Sequence, residues 1–489
     1  MMTTPLELTR AEMRALGDRA LEMVIHHFAT RRELHTATTI TQVDAVARLH
    51  TELPETPTSP EQLLDILARD VFPNSFHADH PRFYAFVPSP TNFVSAVADF
   101  LISGHNLFAG HWLASSAASQ IELTVLEWLC TLCGFPAGSS GIFVSGGSMA
   151  NLSAIVTARE VKMGAHDARA VIYCSDQTHS SLFKALRVLG FSREQRRVIP
   201  TDSELRLDVP ALRLAIEADI AAGLRPLCVV ANAGTTNTGA IDPLSDIADV
   251  CAAHDVWMHV DGAYGAAATL TPRGRELLAG IERADSITLD PHKWLFQSYE
   301  LGCLLVRDPR HLVHAFHVGD DNHADYLADV ARHVQENVNF YDRGIQLTRS
   351  AKAIKLWLSM RAFGLPAFRS AIESGFAQAE HAETWLRASG VWQIVTPAQM
   401  GIVTFRYAEA GLSAGQVDAA TARAVDRMRL DGHALIMSTM LGDRPALRMC
   451  TIHPSGTLGD VESSLARLEQ FQTEEAALER AGGTLGTRD

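Results

Sequence analysis

Apolar residues recur at three- and four-residue spacing through the first part of the chain, a pattern typical of amphipathic helices. The segment TRAEMRALGDRALEMVIHHF shows this pattern and begins at Thr9, a residue type that caps helices. A proline-rich stretch, TELPETPTSP, separates it from a second helical segment, EQLLDILARDVF. The pattern predicts an N-terminal helical segment over residues 1–92.

Short apolar runs alternate with helical segments from residue 93 to about residue 310. The runs are GIFVSGG, VIYCSD, PLCVVANAG, VWMHVDGAYG, SITLDPHKW and GCLLVRD. Near-continuous apolar strands between helices are typical of a parallel sheet that is buried on both faces. We therefore predict an α/β large domain over residues 93–372, with a mostly parallel central sheet and a long helix near RSAKAIKLWLSMRAFG.

Two further regions have different patterns. Residues 311–347 are rich in His, Asp and Asn and lack periodicity, a pattern typical of a mobile active-site loop. After the long helix, helices alternate with the strand-like pieces GIVTFRY, ALIMSTM and ALRMCTI. This alternation predicts a small α+β domain over residues 373–489.

Composition and charge narrow the class of function. A chain of 489 residues is long enough for several subdomains, and 47% hydrophobic with 20% charged residues is typical of a soluble enzyme. The net charge of −14 disfavours binding to nucleic acid or to anionic lipid. The N-terminus does not resemble a signal peptide, no apolar window reaches membrane-spanning length, and the seven cysteines form no regular pattern. We expect a cytoplasmic protein with reduced thiols.

Two pairs of residues have the spacing of metal ligands. Cys130 and Cys133 form a CxxC within LTVLEWLCTLCGF, where burial on a helix face is favoured over a redox or metal role. His77 and His80 form an HxxH in the connector that enters the main domain. We predict no metal at either pair.

The sharpest chemical signal is Lys293, which follows a predicted strand in SITLDPHKW. Apolar residues flank this turn, so the lysine is expected to be buried, and burial favours the neutral amine that condenses with an aldehyde. Asp261 ends the strand VWMHVD, 32 residues earlier, which suits one strand–helix–strand unit. This carboxylate could be structural, or it could keep the pyridine nitrogen of a cofactor protonated.

Other polar residues also follow predicted strands. In GIFVSGGSMANLSAI a glycine-rich turn precedes a helix that begins near Ser148, an arrangement that can bind phosphate but is common without that function. His179 follows VIYCSD, and Thr235 and Thr236 follow PLCVVANAG. Packing or capping would also explain these residues, although ligands gather at such strand ends in parallel sheets.

The motifs SGGSMAN, DQTHSS, NAGTTNTGAID, HVDGAYG and DPHKW, in this order, resemble those of the pyridoxal 5′-phosphate-dependent α-decarboxylases of the aromatic-L-amino-acid and glutamate decarboxylase type. The resemblance runs from about residue 80 to about residue 453. It implies fold type I, a homodimer, and decarboxylation of an L-amino acid to its amine and carbon dioxide. Aromatic amino acids are the leading substrate class.

The resemblance also implies residue roles. Lys293 would bond covalently to the cofactor aldehyde, Asp261 would pair with the pyridine nitrogen, and His179 would stack on the ring. Tyr326, in ADYLAD, matches a loop tyrosine that protonates the α-carbon after carbon dioxide leaves; a Phe there would indicate aldehyde-forming relatives. The residues implied to bind the cofactor are Gly147, Ser148, His179, Thr236, Asp261, Ala263, His292 and Lys293.

Some positions depart from the family pattern or leave alternatives open. Asp290 replaces an Asn that lies beside the phosphate in animal aromatic decarboxylases, and its charge would repel phosphate unless it turns away or is protonated. The segment FVPSP (Val87, Pro88 and Ser89) replaces a more aromatic wall. Arg448 could bind a substrate carboxylate or pair with an acidic residue.

The alternatives to the leading function belong to three classes. The substrate could be acidic or short, such as glutamate, aspartate or diaminobutyrate. The enzyme could instead form aldehydes or transaminate. A catalytically silent homologue could serve as a scaffold, although the intact set of catalytic residues disfavours this.

Overall fold

The computed structural model describes residues 6–318 and 338–482 of the chain. The described residues form two compact units. The first comprises the residues up to Ala85, Tyr407–Leu447 and the residues from Thr457 onward; the second comprises Phe86–Arg406 and Arg448–Gly456. The boundaries predicted near residues 92 and 372 stay predictions.

The helices lie largely where the apolar periodicity predicts them. They are α1 (Arg10–Thr30), α2 (Gln42–Leu49), α3 (Pro60–Ile66), α4 (Phe93–His105), α5 (Ser116–Leu132), α6 (Gly147–Met163), α7 (Ser180–Val188), α8 (Val209–Ala221), α9 (Leu244–His254), α10 (Pro272–Leu277), α11 (Arg310–Phe316), α12 (Ala353–Ser389), α13 (Ala414–Asp431) and α14 (Leu458–Arg480). Thr9 and Glu12 form a capping box at the start of α1. Helix α12 is interrupted at Gly364, where φ is 72°, so its first part ends where the predicted long helix ends. None of the helices in the described ranges has the length and apolar character needed to cross a membrane.

Seven of the strands form the central sheet. The strands are β1 (Ser140–Val144), β2 (Ala170–Ser175), β3 (Arg196–Ile199), β4 (Arg225–Asn232), β5 (Trp257–Asp261), β6 (Ser286–Leu289), β7 (Gly302–Val306), β8 (Trp392–Gln399), β9 (Ile402–Tyr407), β10 (Met437–Leu441) and β11 (Arg444–Cys450). The order in the central sheet is β1-β7-β6-β5-β4-β2-β3. Strands β2 to β6 are parallel, whereas β7 is antiparallel to both of its neighbours. The predicted α/β fold with a mostly parallel sheet is confirmed.

The topology of the sheet leaves a crevice at the carboxyl ends of its strands. Strands β2, β4 and β5 are buried along most of their length, as their apolar sequences predict. The chain passes outward from β2 to β3 and then returns to β4 on the other side of β2, so the loops after β2 and β4 diverge. The register places Asp261 beside Asn232 on one side and Thr288 on the other. Residues that follow these strands therefore meet at one edge.

The two residue pairs with metal-ligand spacing have other contacts. Cys130 and Cys133 are buried free thiols, and burial raises the pKa of Cys133 to about 12, so this thiol stays protonated. Both ring nitrogens of His80 form hydrogen bonds with the backbone, at Arg32 and at Arg82. Burial also lowers the pKa of His80 to about 4.

Candidate functional site

A cavity of about 460 Å³ lies at the carboxyl edge of the central sheet. Its volume is typical of pockets that bind small molecules, and the loops after β1, β2, β4, β5 and β6 form its walls. The predicted site residues that line it are Gly147, Ser148, His179, Thr236, Asp261, Ala263, His292 and Lys293. Tyr326, the remaining predicted residue, lies outside the described residues.

Lys293 lies in the turn after β6, and its amine is 3.0 Å from Asp290 Oδ2. Burial lowers the pKa of the amine, but the charge and hydrogen bond of Asp290, with a smaller contribution from Asp261, more than offset this effect. The pKa of Lys293 is therefore raised. The expected shift toward a neutral amine is wrong for this structure because the sequence does not show that Asp290 faces the lysine.

Asp290 is almost fully buried, at 2% exposure, and its Oδ1 has no hydrogen-bond partner among the described residues. Its Oδ2 faces both Lys293 and the first residue of α6, since a Cβ added to Gly147 would lie 2.9 Å from it. The carboxylate thus lies between the amine and the start of the helix. The sequence leaves open whether the Asp290 carboxylate turns away from the phosphate position. In the structure the carboxylate faces the start of α6.

Asp290→Asn tests how this carboxylate controls Lys293. Removing the charge should lower the pKa of the Lys293 amine, so the neutral form that attacks an aldehyde is present at lower pH, about tenfold more for each pKa unit. We expect cofactor-free D290N protein to react with pyridoxal phosphate faster than wild type near neutral pH. Absorbance measures the rate as a function of pH. A variant that reacts more slowly at every pH would contradict the assignment.

Asp261 ends β5, and its side chain is 7% exposed. Its Oδ2 accepts a hydrogen bond of 2.8 Å from the side-chain amide of Asn151, and its Oδ1 accepts one of 3.1 Å from the backbone N–H of Ala263. Both donors orient the carboxylate at the wall of the cavity. A protonated ring nitrogen in the cavity would find a fixed, charged acceptor here.

His179 is the N-cap of α7, and its Nδ1 accepts a hydrogen bond of 3.2 Å from the backbone N–H of Ser181. Burial lowers the pKa of His179, an effect that the Asp261 carboxylate opposes. The ring is therefore neutral at about pH 7. Because Nδ1 accepts a hydrogen bond, the proton of the neutral ring lies on Nε2. A flat, neutral ring in the cavity wall suits stacking against an aromatic ligand.

Helix α6 begins at Gly147, next to the cavity, so its first backbone N–H groups have no partner within the helix. A side chain at Gly147 would lie 2.9 Å from Asp290 Oδ2 and 3.2 Å from Ala263 Cβ, so only glycine fits without displacing them. Free amides and the helix dipole favour a phosphate at this place, whereas the Asp290 carboxylate at the same helix start opposes it.

These features fit pyridoxal phosphate. The cavity offers an amine for an aldehyde, a carboxylate acceptor for a pyridinium nitrogen, a flat ring for stacking and a helix N-terminus for a phosphate. Lys293, Asp261 and His179 are the residues of this chain that would hold its reactive end and its ring.

Arg448 has neither of the partners expected from the sequence. Its guanidinium donates to three backbone carbonyls, those of Phe86, Thr236 (2.8 Å) and Asn237 (3.3 Å). Within residues 6–318 and 338–482 no carboxylate binds it, and it does not line the cavity. Instead it holds together two loops of the cavity wall, the one at Phe86 and the one at Thr236. A sequence suggests which side chains could pair with an arginine, but it does not show which backbone carbonyls the fold places beside it.

Sequence reasoning also missed Asn151, Ser181 and Asn232, which line the cavity with the predicted residues. Asn151 lies within the motif SGGSMAN, but the family resemblance implies no role for this residue. One signal could have identified it: a polar side chain on a helix face that otherwise consists of small and apolar residues.

Comparisons with known proteins extend over nearly the whole chain. Residues 44–408 match the model of the pyridoxal-dependent decarboxylase conserved domain. An aromatic-L-amino-acid decarboxylase of Bacillus atrophaeus is 43% identical over 97% of this chain and 98% of the relative. A tyrosine decarboxylase of Oryza sativa subsp. japonica is 34% identical over 82% of this chain and 78% of the relative. The solved structure of Oryza sativa TDC with PLP and tryptamine matches with a TM-score of 0.90 and 29% identity, covering 97% of this chain and 99% of that one.

Proposed function

The chain belongs to the pyridoxal-dependent decarboxylase family, and on that premise we propose that it converts an aromatic L-amino acid into the corresponding amine and carbon dioxide. Three predictions made from the sequence are confirmed: the family, the fold type I architecture, and pyridoxal 5′-phosphate as cofactor. The observation that carries the proposal is the convergence of Lys293, Asp261 and His179 on one cavity.

When bound, pyridoxal phosphate supplies an aldehyde that condenses with amines and a ring that takes up the electron pair left when a carboxylate departs. Lys293 would hold that aldehyde through its amine. Asp261 would keep the proton on the ring nitrogen, which is what allows the ring to accept the electrons. His179 would lie against the ring and orient it. The amides at Gly147 and Ser148, with His292, would hold the phosphate.

The charges of the cavity wall support an aromatic rather than an acidic substrate. The described lining residues include Asp261, Asp290 and Glu300 but no arginine, and the nearby Arg448 is engaged with carbonyls. A second carboxylate on the substrate would therefore meet acidic groups. Phe86 and Tyr264 also line the cavity and offer rings for an aromatic side chain.

A substrate panel tests this proposal. Tryptophan, tyrosine, Dopa and phenylalanine would be compared with glutamate, aspartate and 2,4-diaminobutyrate, with carbon dioxide, amine, aldehyde and ammonia measured for each. We expect an aromatic substrate to have a kcat/KM at least about 10²-fold above that of glutamate, the size of preference that mispaired buried charges produce. Preference for an acidic amino acid would contradict the substrate class. Keto acid without amine would contradict decarboxylation.

We propose Tyr326 as the acid that returns a proton to the α-carbon. Tyr326→Phe removes the phenol, so amine formation should fall by about 10²- to 10⁴-fold, the usual contribution of a general acid. Aldehyde and ammonia, formed with dissolved oxygen as the oxidant, should become a larger share of the product, as the family resemblance implies for Phe. Unchanged amine formation would exclude this role. The assay measures amine and aldehyde from the same reaction.

We also propose a cytoplasmic homodimer in which the segment 1–92 contacts the partner. Helix α1 buries none of its residues within the described chain, and Met13, Leu21, Val24 and Ile25 are exposed on it. Exposed apolar side chains on one helix are typical of a surface that another chain covers. Light scattering on the purified protein measures the mass, and a monomer at micromolar concentration would contradict the dimer.

A further inference from the structure

Asn151 lies at the centre of a buried hydrogen-bond network in the wall of the cavity. Its side chain is 1% exposed and makes four hydrogen bonds, which is all that an amide group can make through two donors and two acceptors. The amide nitrogen donates to Asp261 Oδ2 at 2.8 Å and to Ser181 Oγ at 3.1 Å. The amide oxygen accepts from Thr288 Oγ1 at 2.7 Å and lies 3.1 Å from His259 Nε2.

The partners allow one orientation of this amide. If the amide were turned over, its oxygen would face the oxygen of Asp261, and neither atom of that pair carries a proton when the carboxylate is ionised. In the orientation observed, the amide nitrogen faces Asp261. This orientation requires that His259 donate from Nε2, because the amide oxygen can only accept.

Trp257 and Ser286 determine which nitrogen of His259 carries the proton. Trp257 donates from Nε1 to Ser286 Oγ at 2.9 Å, and Ser286 Oγ lies 2.9 Å from His259 Nδ1. Burial lowers the pKa of His259 to about 4, so the ring is neutral and carries one proton. With that proton on Nε2, the Ser286 hydroxyl donates to Nδ1, and every hydrogen bond from Trp257 to Asp261 points toward the carboxylate.

A second branch of the network reaches His179. Ser181 Oγ accepts from Asn151, so its own proton is free to point at His179 Nδ1, 2.9 Å away. The backbone N–H of Ser181 donates to the same nitrogen. Nδ1 of His179 therefore accepts, and its ring proton stays on Nε2. One amide thus contacts the carboxylate and, through one hydroxyl, the imidazole.

We propose that Asn151 is a positioning residue for two groups that would contact the cofactor ring: it orients Asp261 as the acceptor for the ring nitrogen, and it holds His179 in one tautomer. This inference rests on the proposed function, because it assumes that Asp261 meets the ring nitrogen of pyridoxal phosphate. Asn151 acts through these two residues and not on the substrate.

The test compares pyridoxal phosphate with its 1-deaza analogue, in which a carbon replaces the ring nitrogen. Full-length protein is freed of cofactor, and the affinity for each compound is measured by fluorescence titration. Asn151→Leu keeps the shape of the side chain and removes its hydrogen bonds. We expect it to weaken binding of pyridoxal phosphate about 10- to 100-fold, the value of hydrogen bonds to a charged group, and binding of the analogue less than about threefold.

Control variants separate positioning from stability. Thr157→Val, a buried substitution in the same helix, removes a bond to Ser153 and should change neither affinity. Thr288→Val removes one donor to the Asn151 oxygen. We expect it to lower the affinity for pyridoxal phosphate by less than Asn151→Leu does, and to leave the affinity for the analogue nearly unchanged. This variant replaces Asn151→Leu in the test if the Asn151→Leu protein does not fold. Thermal melting of the cofactor-free proteins reports their folding.

Two outcomes would overturn the inference. If Asn151→Leu and Thr288→Val leave the affinity for pyridoxal phosphate unchanged, or weaken both compounds equally, Asn151 supports only the fold. A different result bears on the proposed function: wild-type protein that binds the two compounds equally well would contradict the pairing of Asp261 with the ring nitrogen.

Discussion

Lys293→Ala protein should lose decarboxylase activity by at least about 10³-fold, since both the covalent attachment of the cofactor and one proton carrier disappear. It should still bind pyridoxal phosphate, because Asp261, His179 and the start of α6 are unchanged, but without the visible absorption band of the covalent form. Steady-state kinetics with an aromatic amino acid and absorbance spectra measure the two effects. Lys293 is the lysine that lines the cavity in the described part of the chain.

The matched control for this variant is Lys184→Ala. Lys184 is exposed on α7 and does not line the cavity, so its removal should leave both activity and spectrum near those of wild type. If Lys293→Ala protein kept the activity and the absorption band, the amine that holds the cofactor would be a different one.

Asp261→Asn should lower kcat by about 10²- to 10⁴-fold with a much smaller effect on KM. A neutral amide cannot keep the ring nitrogen protonated, so the ring becomes a poor acceptor of electrons at the step where carbon dioxide leaves. The new amide would also place a second amide against the Asn151 side chain, where a carboxylate now accepts its hydrogen bond. Kinetics over a range of substrate concentrations separate kcat from KM.

Asp285→Asn is the matched control for the aspartate. Asp285 accepts a hydrogen bond of 2.8 Å from the backbone N–H of Met258, in the same strand β5, but it lies outside the cavity. An amide oxygen can accept that bond, so activity should stay within a few-fold of wild type. An equal loss in both variants would indicate damage to the strand and not the loss of a charge at the cavity.

The sequence predicts the central sheet well because its strands are buried on both faces. Strand direction is harder to predict: the apolar run at Gly302–Val306 carries no mark that it is antiparallel to its neighbours. The edge strand Arg196–Ile199 is partly exposed and begins with two arginines, so it lacks the apolar run that identifies the others. Helix α12 starts at Ala353 and not at Arg349, because the Arg349 carbonyl accepts a hydrogen bond from the backbone N–H of Ala109 and Ser350 forms a β-bridge with Phe108.

The sequence predicts those site residues that come directly after a strand of the central sheet. Lys293, Asp261 and His179 each follow an apolar strand, and the parallel sheet brings such positions to one edge. Contacts between distant side chains are not predictable in this way. Asn151 and Asp261 are 110 residues apart, and Arg448 meets Thr236 across 212 residues. The raised pKa of Lys293 depends on a rotamer of Asp290, which no sequence pattern specifies.

Lys355 is the main alternative to Lys293 as the lysine that bonds to the cofactor. Lys355 is 2% exposed, and burial lowers the pKa of its amine, an effect that its ion pair with Asp99 opposes. By burial and pKa alone, Lys355 would be the better nucleophile. It lies outside the cavity, however, whereas Lys293 is placed with the carboxylate, the imidazole and the helix start.

Borohydride reduction of the protein with bound pyridoxal phosphate, followed by peptide mapping, tests the central claim most directly. Reduction makes the bond between cofactor and lysine permanent, so the modified peptide identifies the amine. The account predicts one phosphopyridoxyl group per chain, on Lys293 in the peptide that contains DPHKW. An adduct on Lys355 or any other lysine, or no adduct, would contradict it.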